Sequence, residues 1–222
     1  MQVTGLKRVR ANRDSAATRR ALLAAGTELF AERGFKGATA ELIGRRAGVN
    51  KAMINYHFGT KRRLYKAILN LTFSELIERL QALLDPARPA PELLRDFVTV
   101  FAGVARRHPS FPAMLLREVL SGGDVAREAL AHIVRVFTVL REIVARGIRE
   151  RSFRAVDPVL THVGLIGSLV FFFATASFRA RAIAEGRLPV QPPDPDAYVR
   201  HIQDLMTRGL AVDASGGPPS RR

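Results

Sequence analysis

Apolar residues recur at three- and four-residue intervals along most of the chain, the period of a helix with one buried face. Leu22, Ala25, Leu29 and Phe30 begin the series. Asp14 or Ser15 stands ahead of them as a helix cap, and Gly34 behind them fits the left-handed position that ends a helix. Phe35, just beyond, is placed to pack on Phe30. Thr39 can cap a second, short helix with Leu42, Ile43 and Ala47 inward, Glu41 in its first turn and Gly48 as its break. Asn50 can cap a third with Ile54 and Phe58 inward. Gly59-Thr60 interrupts again, and Leu64, Ile68, Leu71, Leu76 and Leu80 carry a fourth helix to about Leu84.

Pro86, Pro89 and Pro91 then mark a linker. A fifth helix is predicted over 92–107, with Leu94, Phe97, Val98, Phe101 and Val104 on one face, and a sixth over 111–120, stopped by Gly122-Gly123. Asp124 is expected to cap a long seventh. Asp157-Pro158 starts an eighth that runs to about Glu185, with Gly186 as its stop, and a ninth covers 196–211. No stretch alternates with the period of a strand, so the fold class is all-α with nine helices.

Charge divides the chain in a way the hydrophobic pattern does not. Its 222 residues carry a formal charge of +15. Residues 1–69 hold 15 Lys and Arg against Asp14, Glu28, Glu32 and Glu41, so +11 of that charge lies in the first third. Such concentration points to an anion-binding module joined to a second one, or else to a solvated basic face. The expected organisation is a basic flexible arm at 1–14, a compact head at 15–69 continuing as helix to about 84, a second domain at 85–212, and a disordered tail at 213–222. Arg8, Arg10 and Arg13 of the arm suit a minor groove or simply a solvated tail.

With no cysteine, the chain can form no disulfide and no thiolate metal site. Its five histidines, His57, His108, His132, His162 and His201, never fall at i, i+3 or i, i+4, so neither a metal nor a cofactor is expected. Neither G-x-S-x-G nor G-x-x-x-x-G-K-[ST] occurs, so no catalytic set is nominated. The first residues have no apolar core like that of a secretory signal, which makes the cytoplasm the expected address. Val163–Phe178 is the longest apolar run, but it is short of the roughly 20 residues of a membrane span and contains Gly164, Gly167, Ser168, Thr175 and Ser177. It reads as a buried bundle helix, with no membrane partner.

Thr39 to Lys61 carries the most information. Two short helices joined by a glycine turn form the helix-turn-helix pattern, whose second helix enters the major groove of DNA. Ile43, Ala47, Val49, Ile54 and Phe58 would make its core, leaving Lys51, Ala52, Met53, Asn55, Tyr56 and His57 off the core. Asn55 can pair bidentately with adenine, Met53 can meet a thymine methyl, and small Ala52 permits close approach. Lys51, Tyr56, His57 and Lys61, with the helix N-termini at Thr39 and Thr60, suit phosphates. Asn50 serves as a cap, a base reader or both. Tyr56 and His57 have structural readings beside the phosphate one.

Thr18–Leu69, with LFAERGF, AGV-x-K and YHF-x-x-K at matching spacings, resembles the N-terminal domain of the TetR/AcrR family of bacterial transcriptional regulators. The resemblance implies a homodimer whose second domain binds a small-molecule effector. It implies that 40–47 supports and 50–57 reads a double-stranded operator. The expected function is a DNA-binding regulator, a repressor released by a hydrophobic or amphipathic molecule, and not an enzyme. Two departures stand out. The family often has Tyr where Asn55 stands, and acidic residues where Arg62 and Arg63 follow Lys61.

For the effector, the candidates are Phe97, Phe101, Met114, Arg117, Glu118, Phe137, Ser168 and Phe172, each aromatic being at least as well explained as core. Arg117 and Glu118 also fit an ion pair. Gly164, Gly167, Ser168 and Ala174 would let a partner helix approach closely in a dimer. The competing reading is a basic helical protein that binds a membrane surface or another protein without reading DNA sequence.

Overall fold

The computed structural model describes residues 3–121 and 124–212, with side chains for 14–120 and 129–212. The expected tail at 213–222, the Gly122-Gly123 stop, the capping side chain of Asp124 and the arm's Arg8, Arg10 and Arg13 side chains lie outside these described residues. Among them are ten helices: α1 (Val3–Gly37), α2 (Ala40–Arg46), α3 (Ala52–Phe58), α4 (Lys61–Gln81), α5 (Ala90–Arg107), α6 (Phe111–Ser121), α7 (Asp124–Arg149), α8 (Pro158–Ala174), α9 (Ala176–Ala184) and α10 (Pro195–Leu210). The only strand-like pairing among the described residues is one antiparallel bridge, Phe153 with Ala211.

The helical pattern and the capping chemistry agree closely. Thr39 accepts a hydrogen bond from the Leu42 amide at 3.2 Å, Thr60 from Arg63 at 3.1 Å, and Asn50 Oδ1 from Ala52 at 2.8 Å. Asp157 accepts from the amides of Val159 and Leu160, with Pro158 in the first turn behind it. Gly34 takes φ +68° and interrupts α1, and Phe35 beyond it stacks on Phe30 at 5.9 Å between ring centroids.

Two expectations are corrected. Residues 3–13 are helical, not an irregular arm, so Asp14 and Ser15 lie inside α1 and cap nothing. No proline interrupts Val3–Arg33, and a capping residue ends a helix only where its neighbours do not propagate one. The predicted eighth helix is two. It bends by 47° between α8 and α9 at Thr175, whose hydroxyl donates to the Phe171 carbonyl at 2.6 Å.

The chain forms two compact units that are not contiguous in sequence: 1–73 with 108–129, and 74–107 with 130–222. A single boundary near residue 85 does not describe this, because α6 packs on α1 in the first unit. The core of that unit contains Leu22, Leu29, Phe30, Ile43, Ile54, Leu64 and Tyr65, each at most 2% exposed. Phe30 and Tyr65 meet edge to face at 4.7 Å, and Phe35 completes the trio at 5.4 Å from Tyr65.

In the second unit α5 is central, packing on α10 and α8. Arg106–Asp196 and Arg95–Asp204 pin α10 to α5, and Glu150 accepts from the Ala90 amide that opens α5. His162 on α8 is buried, edge-on to Phe137 at 5.4 Å, and its Nδ1 has no hydrogen-bond partner. Burial holds its pKa below the ordinary value, because a charged imidazole would be desolvated there. The unfolded chain therefore binds the proton more readily. Stability is complete above about pH 6.5 and drains as pH falls below it. Melting temperatures at pH 7.5 and 5.5 should differ more for the wild type than for His162→Phe. Equal differences would assign the acid sensitivity elsewhere.

Among the described residues no single helix is long and apolar enough to cross a membrane. The bent pair α8–α9 passes that test of length and composition only when its two halves are taken together.

Candidate nucleic-acid interface

The site is built on α2 and α3, which the turn at Gly48 (φ +69°) joins. Val49 N donates to Gly44 O at 2.9 Å, closing the turn onto α2. Gly44 is buried, and a Cβ there would stand 2.9 Å from Val49 O and 3.0 Å from Lys51 N. The absence of a side chain is what lets the start of α3 lie this close. Ile54 and Phe58, one turn apart, face inward. Lys51, Ala52, Asn55 and Tyr56 therefore share the opposite, exposed face, with Tyr56 75% exposed. That arrangement presents a planar amide and a phenol outward, beside a methyl side chain too small to obstruct approach.

The remaining predicted contacts divide. Thr39, Asn50 and Thr60 are exposed and capping, and Met53 is half-buried at the edge of the face. Lys51 Nζ lies 2.6 Å from Glu41 Oε1, which lowers the pKa of that carboxylate. Both partners are more than half exposed, so a phosphate can take the lysine over at little cost. Lys61 is placed differently from the expectation. Its ammonium donates to the Phe35 carbonyl at 2.8 Å and sits 4.4 Å from the Phe35 ring centroid, with its pKa lowered by burial. So held, it fastens the start of α4 to the end of α1. His57 is half-buried, edge-on to Tyr56, and its buried Nε2 has no hydrogen-bond partner.

Three braces are not legible in the sequence. Arg46 of α2 bridges Glu28 at 2.7 Å and Glu32 at 3.5 Å, both on α1, fixing the supporting helix to the first. The glutamates' i, i+4 spacing marks one face of α1 but does not name the partner. Arg19 lies over the Phe58 ring at 5.1 Å. Tyr65 of α4 donates to the Glu118 carboxylate of α6 at 2.7 Å, both side chains buried, and its pKa is raised by desolvation and by that carboxylate.

The effector candidates fall in both compact units. Met114, Arg117 and Glu118 belong to the first unit, the other five to the second. Arg117 donates to the Phe30 carbonyl at 3.3 Å, and Glu118 accepts from Tyr65, so both polar groups brace the head. Phe97 and Phe101 are core residues of α5, and Phe137 is half-buried against His162. Phe172 stacks on Tyr198 at 3.7 Å, with the Arg179 guanidinium 4.3 Å from its centroid. Ser168 Oγ donates to its own helix, at Gly164 O, and its carbonyl accepts from Tyr198.

Comparison with known proteins agrees with this geometry. Residues 22–68 match the family described as bacterial regulatory proteins, tetR family, and residues 91–209 match the tetracyclin repressor-like C-terminal domain. The chain is 32% identical over 219 residues to the HTH-type transcriptional repressor NicS of Pseudomonas putida, covering 93% of this chain and 97% of that protein. It is 24% identical over 148 residues to the HTH-type transcriptional regulator RutR of Escherichia coli, 66% of this chain and 69% of RutR. The crystal structure of the TetR family regulator PfmR from Thermus thermophilus superposes with a TM-score of 0.69 at 24% identity, over 86% of this chain and 99% of that one. That likeness concerns the fold. With an exposed face on α3, a glycine-closed turn beneath it and both halves of the chain matched, the protein belongs to the TetR family of bacterial regulatory proteins and is a DNA-binding transcriptional regulator.

Proposed function

We propose that the chain is a repressor that occupies a near-palindromic operator as a homodimer and leaves it when a hydrophobic or amphipathic small molecule binds. The observation that carries the reading is the outward face of α3, where Ala52, Asn55 and Tyr56 stand exposed over an inward pair, Ile54 and Phe58. The near full-length likeness to a protein named a repressor supports the sign.

The dimer reading rests on α8. Val159, Leu160, Val163 and Phe171 are 54–72% exposed there, and nothing lies within 4 Å of a Cβ at Gly164 or Gly167. A second copy seated on this face would bury the apolar groups, and a dimer brings two recognition helices to half-sites one DNA turn, about 34–36 Å, apart, or a multiple of it. The effector works only through differential affinity: it must bind the DNA-incompetent arrangement more tightly than the competent one.

The test is fluorescence anisotropy with duplex DNA flanking the protein's own gene, against scrambled duplex, over a series of salt concentrations. Tight binding that survives competitor supports a sequence-specific regulator. Equal affinity for both duplexes with a steep salt slope is counterion release alone, and would overturn the operator assignment for that DNA.

Arg62 and Arg63, both exposed, bring two cations to the first turn of α4, where they oppose the helix dipole by about 0.3–1 kcal/mol each. Their proposed return is phosphate affinity. In Arg62→Glu/Arg63→Glu the slope of log K against log salt should shallow by about 2. The melting temperature should hold or rise. An unchanged slope would remove both arginines from the interface.

A further inference from the structure

Within the first unit lies a cavity of about 160 Å³ that the DNA reading does not use. Ala24 and Thr27 of α1, Ile68 and Leu71 of α4, and Phe111 and Met114 of α6 line it. Its mouth is at the surface, where Ala24 is exposed and Leu71 is 55% exposed. Deeper in, Phe111 is held edge-on to Phe73 at 4.9 Å, so the aromatic wall is fixed.

We infer that this cavity is a ligand site for a single-ring aromatic molecule carrying one hydrogen-bond donor, a phenol in chemical class, and that its occupancy weakens DNA binding. Size sets the first part. A dry cavity of about 150 Å³ lined by aliphatic and aromatic groups, known from an unrelated protein, accepts benzene. Polarity sets the second. The walls are mostly hydrocarbon, and two threonine hydroxyls and the His108 imidazole are the exceptions. Thr27 Oγ1 donates to Leu23 O at 2.8 Å, and Thr72 Oγ1, also in the lining, donates to Ile68 O at 3.4 Å. A hydroxyl has one proton and two lone pairs, so each threonine with its proton committed keeps acceptor capacity. A bound ring with an O–H group can meet that capacity; the lining holds no Lys or Arg to pair with a carboxylate.

Position links the site to the reading head. Met114 is one helical turn from Glu118 on α6, and Ile68 is one turn from Tyr65 on α4. The Tyr65–Glu118 hydrogen bond thus lies next along the same two helices, and Thr27 adjoins Glu28, the anchor of Arg46. A ring in the cavity touches α1, α4 and α6, and every brace of α2 and α4 described above hangs from those helices.

The experiment uses the full chain with phenol as probe and benzene as the probe without the donor. Methyl NMR of Met114 and Ile68 should show saturable shifts with phenol, with a dissociation constant of about 1 mM, in keeping with so small a ligand. Ala24→Phe, a change at the exposed mouth, should weaken phenol binding at least fivefold while the melting temperature stays that of the wild type. Thr27→Val, close in shape, should weaken phenol at least threefold and leave benzene unchanged. Absent or non-saturable shifts, or undiminished binding in Ala24→Phe, would overturn the site. Equal effects of Thr27→Val on both probes would overturn the donor assignment. The regulatory half rests on the operator reading. Saturating phenol should raise the operator dissociation constant at least threefold in the wild type and not in Ala24→Phe; an unchanged constant would overturn the coupling. Failure of the apo protein to bind any operator would overturn the DNA reading instead, and leaves the NMR test of the site standing.

Discussion

Gly44→Val should unfold the head more readily and abolish operator binding. Even the first carbon of a side chain at Gly44 falls 2.9 Å from Val49 O, 3.0 Å from Lys51 N and 3.1 Å from Lys51 Cα, and all three are backbone atoms. Backbone cannot rotate aside as a side chain can. Valine adds two further carbons, so α3 must move away from α2 or the turn must open. Overpacking of this kind costs about 1–3 kcal/mol. The better helix propensity of valine returns only about 0.3–0.5 kcal/mol, so the clash decides the sign. The same displacement lifts the reading face from its support on Ile43, Ile54 and Phe58. Urea denaturation and operator anisotropy on one preparation check both effects. A variant with wild-type midpoint and affinity would show that the close approach of the two helices is dispensable.

Asn55→Ala should do the reverse, sparing the fold and damaging recognition. Asn55 is exposed, and alanine is the better helix former by several tenths of a kcal/mol, so the melting temperature should hold or rise slightly. Loss of a bidentate pair to adenine costs about 1–3 kcal/mol, roughly a 5- to 150-fold weaker operator complex. Affinity for scrambled duplex should not change, because that binding is carried by phosphates. Specificity should relax at one base-pair position per half-site, which a panel of single-substituted operators resolves. If operator and scrambled affinities fall together, Asn55 contacts the phosphate backbone and reads no base.

How much of this is legible in the sequence follows from the range of each interaction. Helix ends are readable because caps are local: Thr39, Asn50, Thr60 and Asp157 each act within three residues of themselves. Gly34 and Phe35 are readable for the same reason. The bend at Thr175 is hidden because the apolar period runs through it unbroken. The hold on Lys61 is hidden because its partner, the Phe35 carbonyl, is 26 residues away.

The effector candidates show the same limit on a larger scale. Aromatic spacing identifies residues that face inward, and Phe97, Phe101 and Phe172 are indeed buried. Spacing carries no information on which helices meet. Glu118 stands out as an anomalous charge on an apolar helix, yet its partner, Tyr65, lies 53 residues earlier. α6 joins α1 in the first unit although residues 74–107, which belong to the second, separate it from the head in sequence.

The sequence alone determined the helical class, the position of the helix-turn-helix, the outward set on α3 and the concentration of positive charge in the first third. These are set by short-range preferences and by a period that a few residues suffice to reveal. Only the tertiary structure decided which charges are spent as braces, that Gly44 is a contact point between helices, and that α1, α4 and α6 enclose a cavity. Each of those depends on residues far apart in the chain arriving at one place, and a pattern of local spacing contains no term for that.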